Sequence, residues 1–185
     1  MKKNRFLRWI NSSWSVRFIE MTLIPDVQGL GRLDVELIKE TERLKSKSKI
    51  YRKTRLKHLT LSKLWILGAY ELVRLMREIT QKPNSLVSEK IKTEIFNTKK
   101  EFEKIRIPLT KFQMPNRQKP KKKNRLFGQF PDSFLDSSGE VGWKVYTTIE
   151  RRPIEIYYRR TFGDLLLRLL EFIDKEIRSS LISFR

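Results

Sequence analysis

The sequence predicts a helix-dominated α+β domain, with a central buried helix at about 60–79 and a small antiparallel β element near the C-terminus. Three observations carry this reading. Thr60–Ile79 is apolar almost all round (Leu61, Leu64, Trp65, Leu67, Tyr70, Leu72, Val73, Leu75, Met76, Ile79), as a helix buried on most faces must be. Gly142–Thr147 and Pro153–Tyr158 are short strand-like runs, the second alternating Ile154, Ile156 and Tyr158 with Glu155 and Tyr157. The chain has 185 residues, the length of one domain, with no internal repeat. Residues 1–185 therefore read as a single domain, carrying a basic loop, expected to be mobile, at about 116–126.

The elements follow in order. Residues 1–21 carry Lys2, Lys3, Arg5, Arg8 and Arg17 against Glu20, with Trp9, Ile10, Trp14, Phe18 and Ile19 interleaved. Three readings compete: an organellar presequence, an amphipathic segment on a membrane surface, and an ordered first element anchored in the core. The third is preferred. Pro25, Gly29 and Gly31 read as a turn, and Asp34 as the cap of a helix running to about Leu44. The Gly-x-Gly lacks the third glycine of a dinucleotide fingerprint. From Arg43 to His58 no acid occurs, and Lys45, Lys47 and Lys49 alternate with other residues as in an extended stretch.

Thr60 or Ser62 would cap the central helix, whose narrow polar stripe lines up Lys63, Glu71, Arg74 and Glu78, with Glu71–Arg74 and Arg74–Glu78 as neighbours of opposite charge. Pro83 and Asn84 break the chain. Ser85–Ile105 is a surface helix with Val87, Ile91, Ile95, Phe102 and Ile105 inside. Ile105, Ile107 and Leu109 alternate, which with Pro108 suits an edge strand. Asn116–Arg125 has no apolar residue and reads as a loop; the stretch to Glu140 is turn-rich, with Phe127, Phe130 and Phe134. Thr161–Asp164 reads as a capping box for a last helix, Leu165–Ile177.

Composition narrows the chemistry. Lys and Arg number 41 against 21 Asp and Glu, a formal net charge of +20. Without cysteine there are no disulfides, thiolate nucleophiles or cysteine-ligated zinc. His58 is the single histidine, so no histidine cluster can hold a metal, and no metal or cofactor is expected. As a triad base it would have to become protonated inside a basic field, and no G-x-S-x-G elbow or Walker A loop accompanies it. No apolar run reaches the roughly 18–20 residues that span a bilayer, so no integral membrane association is expected.

A charge excess of this size points to a polyanionic partner, foremost nucleic acid. The expected contacts to phosphate are Lys45, Lys47, Lys49, Arg52, Lys53, Arg55 and Lys57 in one block, and Arg117, Lys119, Lys121, Lys122, Lys123 and Arg125 in another. Tyr51, Phe127 and Phe130 could stack on unpaired bases. No zinc finger, basic zipper or RNA-recognition string occurs, so the binding expected is to the backbone of RNA or DNA without sequence readout. The function expected is a non-catalytic nucleic-acid-binding or ribonucleoprotein component, the alternatives being a ribonuclease or a structural subunit docking an acidic protein within a complex. Asp132, Glu140 and Lys144 superficially look like the site of restriction-endonuclease-like nucleases. Those need acid-x-Lys on one strand, whereas the spacing here is acid-x-x-x-Lys, and both acids read as solvated loop residues.

Two resemblances add expectations. Arg52–His58, R-K-T-R-L-K-H, resembles the R-x5-H motif of the HEPN superfamily of helical ribonucleases and toxin components. That resemblance implies a metal-independent ribonuclease in which Arg52 stabilises the phosphate and His58 transfers protons. The string Leu64-Trp65-Ile66-Leu67-Gly68-Ala69-Tyr70-Glu71 with Arg74 looks like a segment of uncharacterised bacterial proteins, as do Ile107–Phe112 and Gly142–Val145. This second resemblance implies no activity; it implies a bacterial cytoplasmic location, the alternative being an organellar matrix reached through the basic N-terminus.

Overall fold

The computed structural model describes residues 2–45, 52–111, 131–146 and 153–182. Among them are five α-helices and one small sheet. Helix α1 (Lys2–Ser13) runs through two 3-10 turns, Trp14–Phe18 and Met21–Leu23, into α2 (Ile24–Lys45). Helices α3 (Arg52–Thr80) and α4 (Glu89–Lys111) follow, then strands β1 (Asp132–Leu135), β2 (Val141–Tyr146) and β3 (Pro153–Tyr158), and finally α5 (Arg159–Ile182). The strands lie in the order β1-β2-β3, both pairs antiparallel, with Asp132 opposite Lys144 and Trp143 opposite Tyr157. The helix-dominated α+β class with a β element near the C-terminus is the one the sequence predicts.

Helix α3 is central because it touches α2, α4, α5, β1 and β2. Its Trp65, Ile66, Ala69, Val73 and Met76 are wholly buried, facing Ile95, Phe102 and Ile105 of α4 and Leu166, Leu170 and Ile173 of α5. The ion pairs of Arg74 with Glu71 and Glu78 lie on its polar stripe. Trp9 of α1 is also wholly buried, so the N-terminal segment is an ordered element anchored in the core, as preferred above.

Several local expectations are corrected. Pro25 and the two glycines lie inside α2 rather than in a turn: proline is harmless in a first turn, where its missing N–H has no partner to lose. Gly31 faces α1, and a Cβ there would meet Trp9 at 2.6 Å, so the glycine lets the indole lie against the helix backbone. Asp34 is mid-helix, not a cap. Helix α3 starts before Thr60 and Ser62, incorporating Arg52–His58 into its first turns. The expected edge strand after Ile105 is the end of α4, which continues through Pro108. Phe102, Ile105 and Leu109 follow helical spacing and are buried, and their burial offsets the roughly 3 kcal/mol that an internal proline costs. Helix α5 begins before Thr161, and Asp164, instead of closing a capping box, binds Arg5. Strand β1 was not foreseen, and Glu140 is buried rather than a solvated loop acid.

Asp34 is the fold's polar centre. Its carboxylate is fully buried. Oδ2 accepts from Arg5 Nε at 2.6 Å and from Trp9 Nε1 at 3.1 Å, and Oδ1 accepts from Arg159 Nη1 at 2.5 Å. Arg159, itself fully buried, lies 5.8 Å from the Trp65 ring centre and 3.8 Å from the Glu140 carboxylate. One aspartate thus ties α2 to α1 and to the start of α5. Removing one partner of a buried ion pair typically costs about 3–5 kcal/mol, because the other charge is left desolvated. Asp34→Asn, which keeps the shape and drops the charge, is therefore expected to lower unfolding stability by about 3–5 kcal/mol in urea titrations. A loss below about 1 kcal/mol, the value of an exposed pair, would show that the cluster does not hold the fold.

Candidate nucleic-acid interface

The described cations of the first basic block stand at the tip formed by the end of α2 and the start of α3. Lys45 is exposed at the end of α2; Arg52, Lys53, Arg55 and Lys57 are exposed on the first two turns of α3. Among the described residues none of these five enters an ion pair. Elsewhere several cations are matched, Arg8 with Glu171, Arg43 with Glu40, Lys92 with Glu89, Lys99 with Glu103, Lys104 with Glu101 and Arg178 with Asp174, whereas exposed cations without an ion pair, such as Arg17, Lys82, Arg168 and Lys175, are spread along the chain rather than adjacent. The cause is local sequence, since α3 contains no acid before Glu71. A cation in the first turn also meets the positive end of the helix dipole, at a cost of some 0.3–1 kcal/mol each when exposed. The tip is therefore a positive surface not neutralised from within the described structure.

Behind the tip, α2 and α3 enclose a cleft of about 380 Å³, floored by Leu33, Leu37, Leu61 and His58 and rimmed by Glu36, Glu40, Arg43, Lys53 and Lys57. Its rim carries both signs of charge, so it is less suited to phosphate than the outer tip. His58 is 2 % exposed. Its Nε2 shares a hydrogen bond with Thr41 Oγ1 at 3.2 Å, and its Nδ1 has no hydrogen-bond partner. Burial, seconded by the positive charge of Arg159, pushes the His58 pKa below its ordinary value, against the opposite pull of Glu40 and the Gly139 backbone. The ring is therefore neutral at neutral pH.

Next to His58 lies the turn between β1 and β2. Asp136 accepts from the backbone N–H of Ser138 and Glu140 and from the Ser138 hydroxyl, and Gly139 takes the left-handed φ of 79° that a side chain would resist. A Cβ at Gly139 would also press on the Thr41 carbonyl at 2.7 Å, so this turn sits directly on the end of α2. Burial alone would raise the Asp136 pKa, but these hydrogen bonds outweigh it and hold the carboxylate below its usual range. Glu140 accepts from the backbone N–H of Arg160 at 3.2 Å, capping α5 from another element. Burial nevertheless raises its pKa, against the pull of Arg159.

The remaining sequence-derived candidates are placed as follows. Lys47 and Lys49 of the first block, and Tyr51, lie outside the described residues, as do Arg117, Lys119, Lys121, Lys122, Lys123 and Arg125, Phe127 and Phe130, and with them the expected mobile loop. Arg52 and His58, six residues apart on one helix, point about 120° away from each other around its axis. Asp132 and Lys144 are cross-strand neighbours, while Glu140 turns away to α5 and Lys144 lies over the Phe134 ring at 5.3 Å. Among the described residues no His, Asp and Glu cluster is arranged to hold a metal ion, and no helix is long and apolar enough to cross a membrane. Compared with protein-family models, with curated proteins and with solved structures, the chain gave no match.

The depressed His58 pKa has a consequence for stability. The unfolded chain binds a proton at the ordinary histidine pKa and the folded chain only at a lower one. The contribution of a neutral His58 is thus complete above about pH 6.5 and declines as pH falls below it, by at most about 1.4 kcal/mol per pH unit. Measured from pH 7.5 to 5, the stability difference between wild type and His58→Gln is expected to shift against wild type as acid is added. A pH-independent difference would mean that His58 titrates normally in the fold.

Proposed function

We propose that this protein binds nucleic acid without catalysis, holding the phosphate backbone on the tip formed by the end of α2 and the start of α3. The observation that carries this reading is the exposure of Lys45, Arg52, Lys53, Arg55 and Lys57 with no ion-pair partner among the described residues. A polyanion there relieves repulsion between like charges, neutralises side chains set against the helix dipole and releases condensed counterions. The basic segment Arg117–Arg125 would add a second set of phosphate contacts. Without a base-reading motif the contact is to backbone and shape, consistent with a component of a ribonucleoprotein particle.

Binding is favoured over cleavage. A proton-transferring histidine must reach the reacting oxygen within hydrogen-bond distance. His58 is 2 % exposed, is held by Thr41, and is turned away from Arg52.

The test is fluorescence anisotropy with labelled single-stranded RNA, single-stranded DNA and duplex DNA, at low and near-physiological salt. The variant Arg52→Glu/Lys53→Glu/Arg55→Glu/Lys57→Glu places acids where the helix dipole favours them, so the fold is expected to survive. Each lost phosphate contact removes roughly 0.7–0.9 from the slope of log affinity against log salt, so the variant is expected to lose about 3. Reversal of Lys121–Lys123 is expected to reduce affinity and slope independently. A control carrying Lys82→Glu and Lys175→Glu, exposed elsewhere, removes about half as much charge and is expected to act weakly. If affinity falls only in proportion to net charge, whichever lysines are changed, the tip is not a binding site.

A further inference from the structure

The described residues from α1 to Met21 present two apolar faces, and the fold uses only one. Trp9 and Val16 are fully buried, and Leu23 nearly so. On the other side Leu7, Trp14, Phe18 and Met21 are 55 %, 53 %, 44 % and 68 % exposed, with Ile10 partly covered between the first two. Leu7, Ile10 and Trp14 advance by three and four residues, the spacing that keeps side chains on one side of α1 and its end, while Phe18 lies in the following 3-10 turn and Met21 just past the extended Glu20. An edge with this many large exposed apolar side chains marks a contact surface rather than ordinary scatter.

The charges around this edge say what it fits. Lys2, Lys3 and Arg17 belong to the same segment, whose one acid is Glu20; Arg8 is paired with Glu171 of α5. Glu20 itself is engaged in accepting from the Thr22 backbone N–H at 3.2 Å. The Arg17 guanidinium lies over the Phe18 ring at 4.9 Å from its centre, so its arm follows the apolar stripe and its charge stands at the rim. Helix α5, packed along α1 and the Trp14–Phe18 turn, exposes Arg168 and Lys175. Tryptophan is the side chain best suited to the boundary between headgroups and acyl chains.

We propose that the outer edge of residues 7–21 docks on the surface of a bilayer containing anionic phospholipid. Leu7, Trp14, Phe18 and Met21 enter the interfacial layer, and Arg17 with its neighbouring cations meets the lipid phosphates. The association is peripheral, and it uses a surface distinct in sequence from the nucleic-acid tip at Arg52–Lys57.

The arrangement of tryptophans makes this directly testable, because Trp9, Trp65 and Trp143 are fully buried and Trp14 is exposed. Intrinsic fluorescence is recorded while the full chain is titrated with vesicles of phosphatidylcholine, alone or mixed with phosphatidylglycerol. Mixed vesicles are expected to shift Trp14 emission to the blue, and acyl-chain-brominated lipid to quench it; Trp14→Phe should keep the binding and lose both signals. Phe18→Ser/Met21→Ser is expected to weaken partitioning on the order of tenfold at constant salt, with nucleic-acid affinity unchanged. Sedimentation of vesicles with the protein, but with Trp14 emission and quenching unaltered, would mean that net charge alone drives the association and overturns the proposal. So would a blue shift that appears without lipid as protein concentration rises, which would assign the edge to a second copy of the chain.

Discussion

The structure hangs on one buried carboxylate. Asp34 is reached by Arg5 from 29 residues away in sequence and by Arg159 from 125 away. Both guanidiniums have lost most of their water, so each needs the aspartate as much as the aspartate needs them. Because Arg159 is also the first residue of α5, the cluster fixes where the last helix starts and how it meets the N-terminus. Glu140, beside Arg159, then closes the N-terminus of α5 and ties the β1–β2 turn to it. The hydrophobic core supplies most of the cohesion, being non-directional; the ion cluster determines which arrangement of these helices places its charges together.

From that centre the structure reaches outward to the basic tip. The β1–β2 turn presses on the end of α2 through Gly139, and His58 of α3 is fixed to Thr41 of α2. These contacts pin the last turns of α2 and the first turns of α3, so the cations of the tip stand on rigid helices rather than on a free loop. A backbone-binding surface gains from such support, since less side-chain and chain entropy is lost when the ligand arrives. His58 fits this role as a buried neutral spacer between α3 and α2.

How much of this could be read from the sequence depends on range. Periodicity within one element was legible: the apolar sweep of Thr60–Ile79 marked the central helix, and β2 and β3 lie where the strand-like runs put them. Elements whose character is decided by distant partners were not. Asp34 looks like a cap in its own neighbourhood, and partners far from it in sequence, Arg5, Trp9 and Arg159, make it a buried ligand. Pro108 suggested a strand because local steric rules oppose a proline inside a helix, and the burial of Ile105 and Leu109 outweighed them. For the candidate site, the basic character of Arg52–Lys57 was plain, but its helical form was not, and neither was the burial of His58. Of the exposed edge, the sequence marks Trp14 and Phe18 among the interleaved apolar residues of a segment readable as a core element or as one on a membrane surface, and Leu7 and Met21 do not stand out, because one sequence pattern cannot say which of two apolar faces the core takes.

The central functional claim is that a polyanion is held at one place rather than by the diffuse field of a +20 chain. Amide chemical-shift mapping during titration with a short single-stranded RNA, repeated with single-stranded DNA, at near-physiological salt, tests it most directly. The account predicts saturable shifts concentrated at Lys45 and Arg52–Lys57, with the exposed lysines of α4 and the far end of α5 unmoved. Small shifts spread over all exposed cations, vanishing together as salt is added, would contradict it.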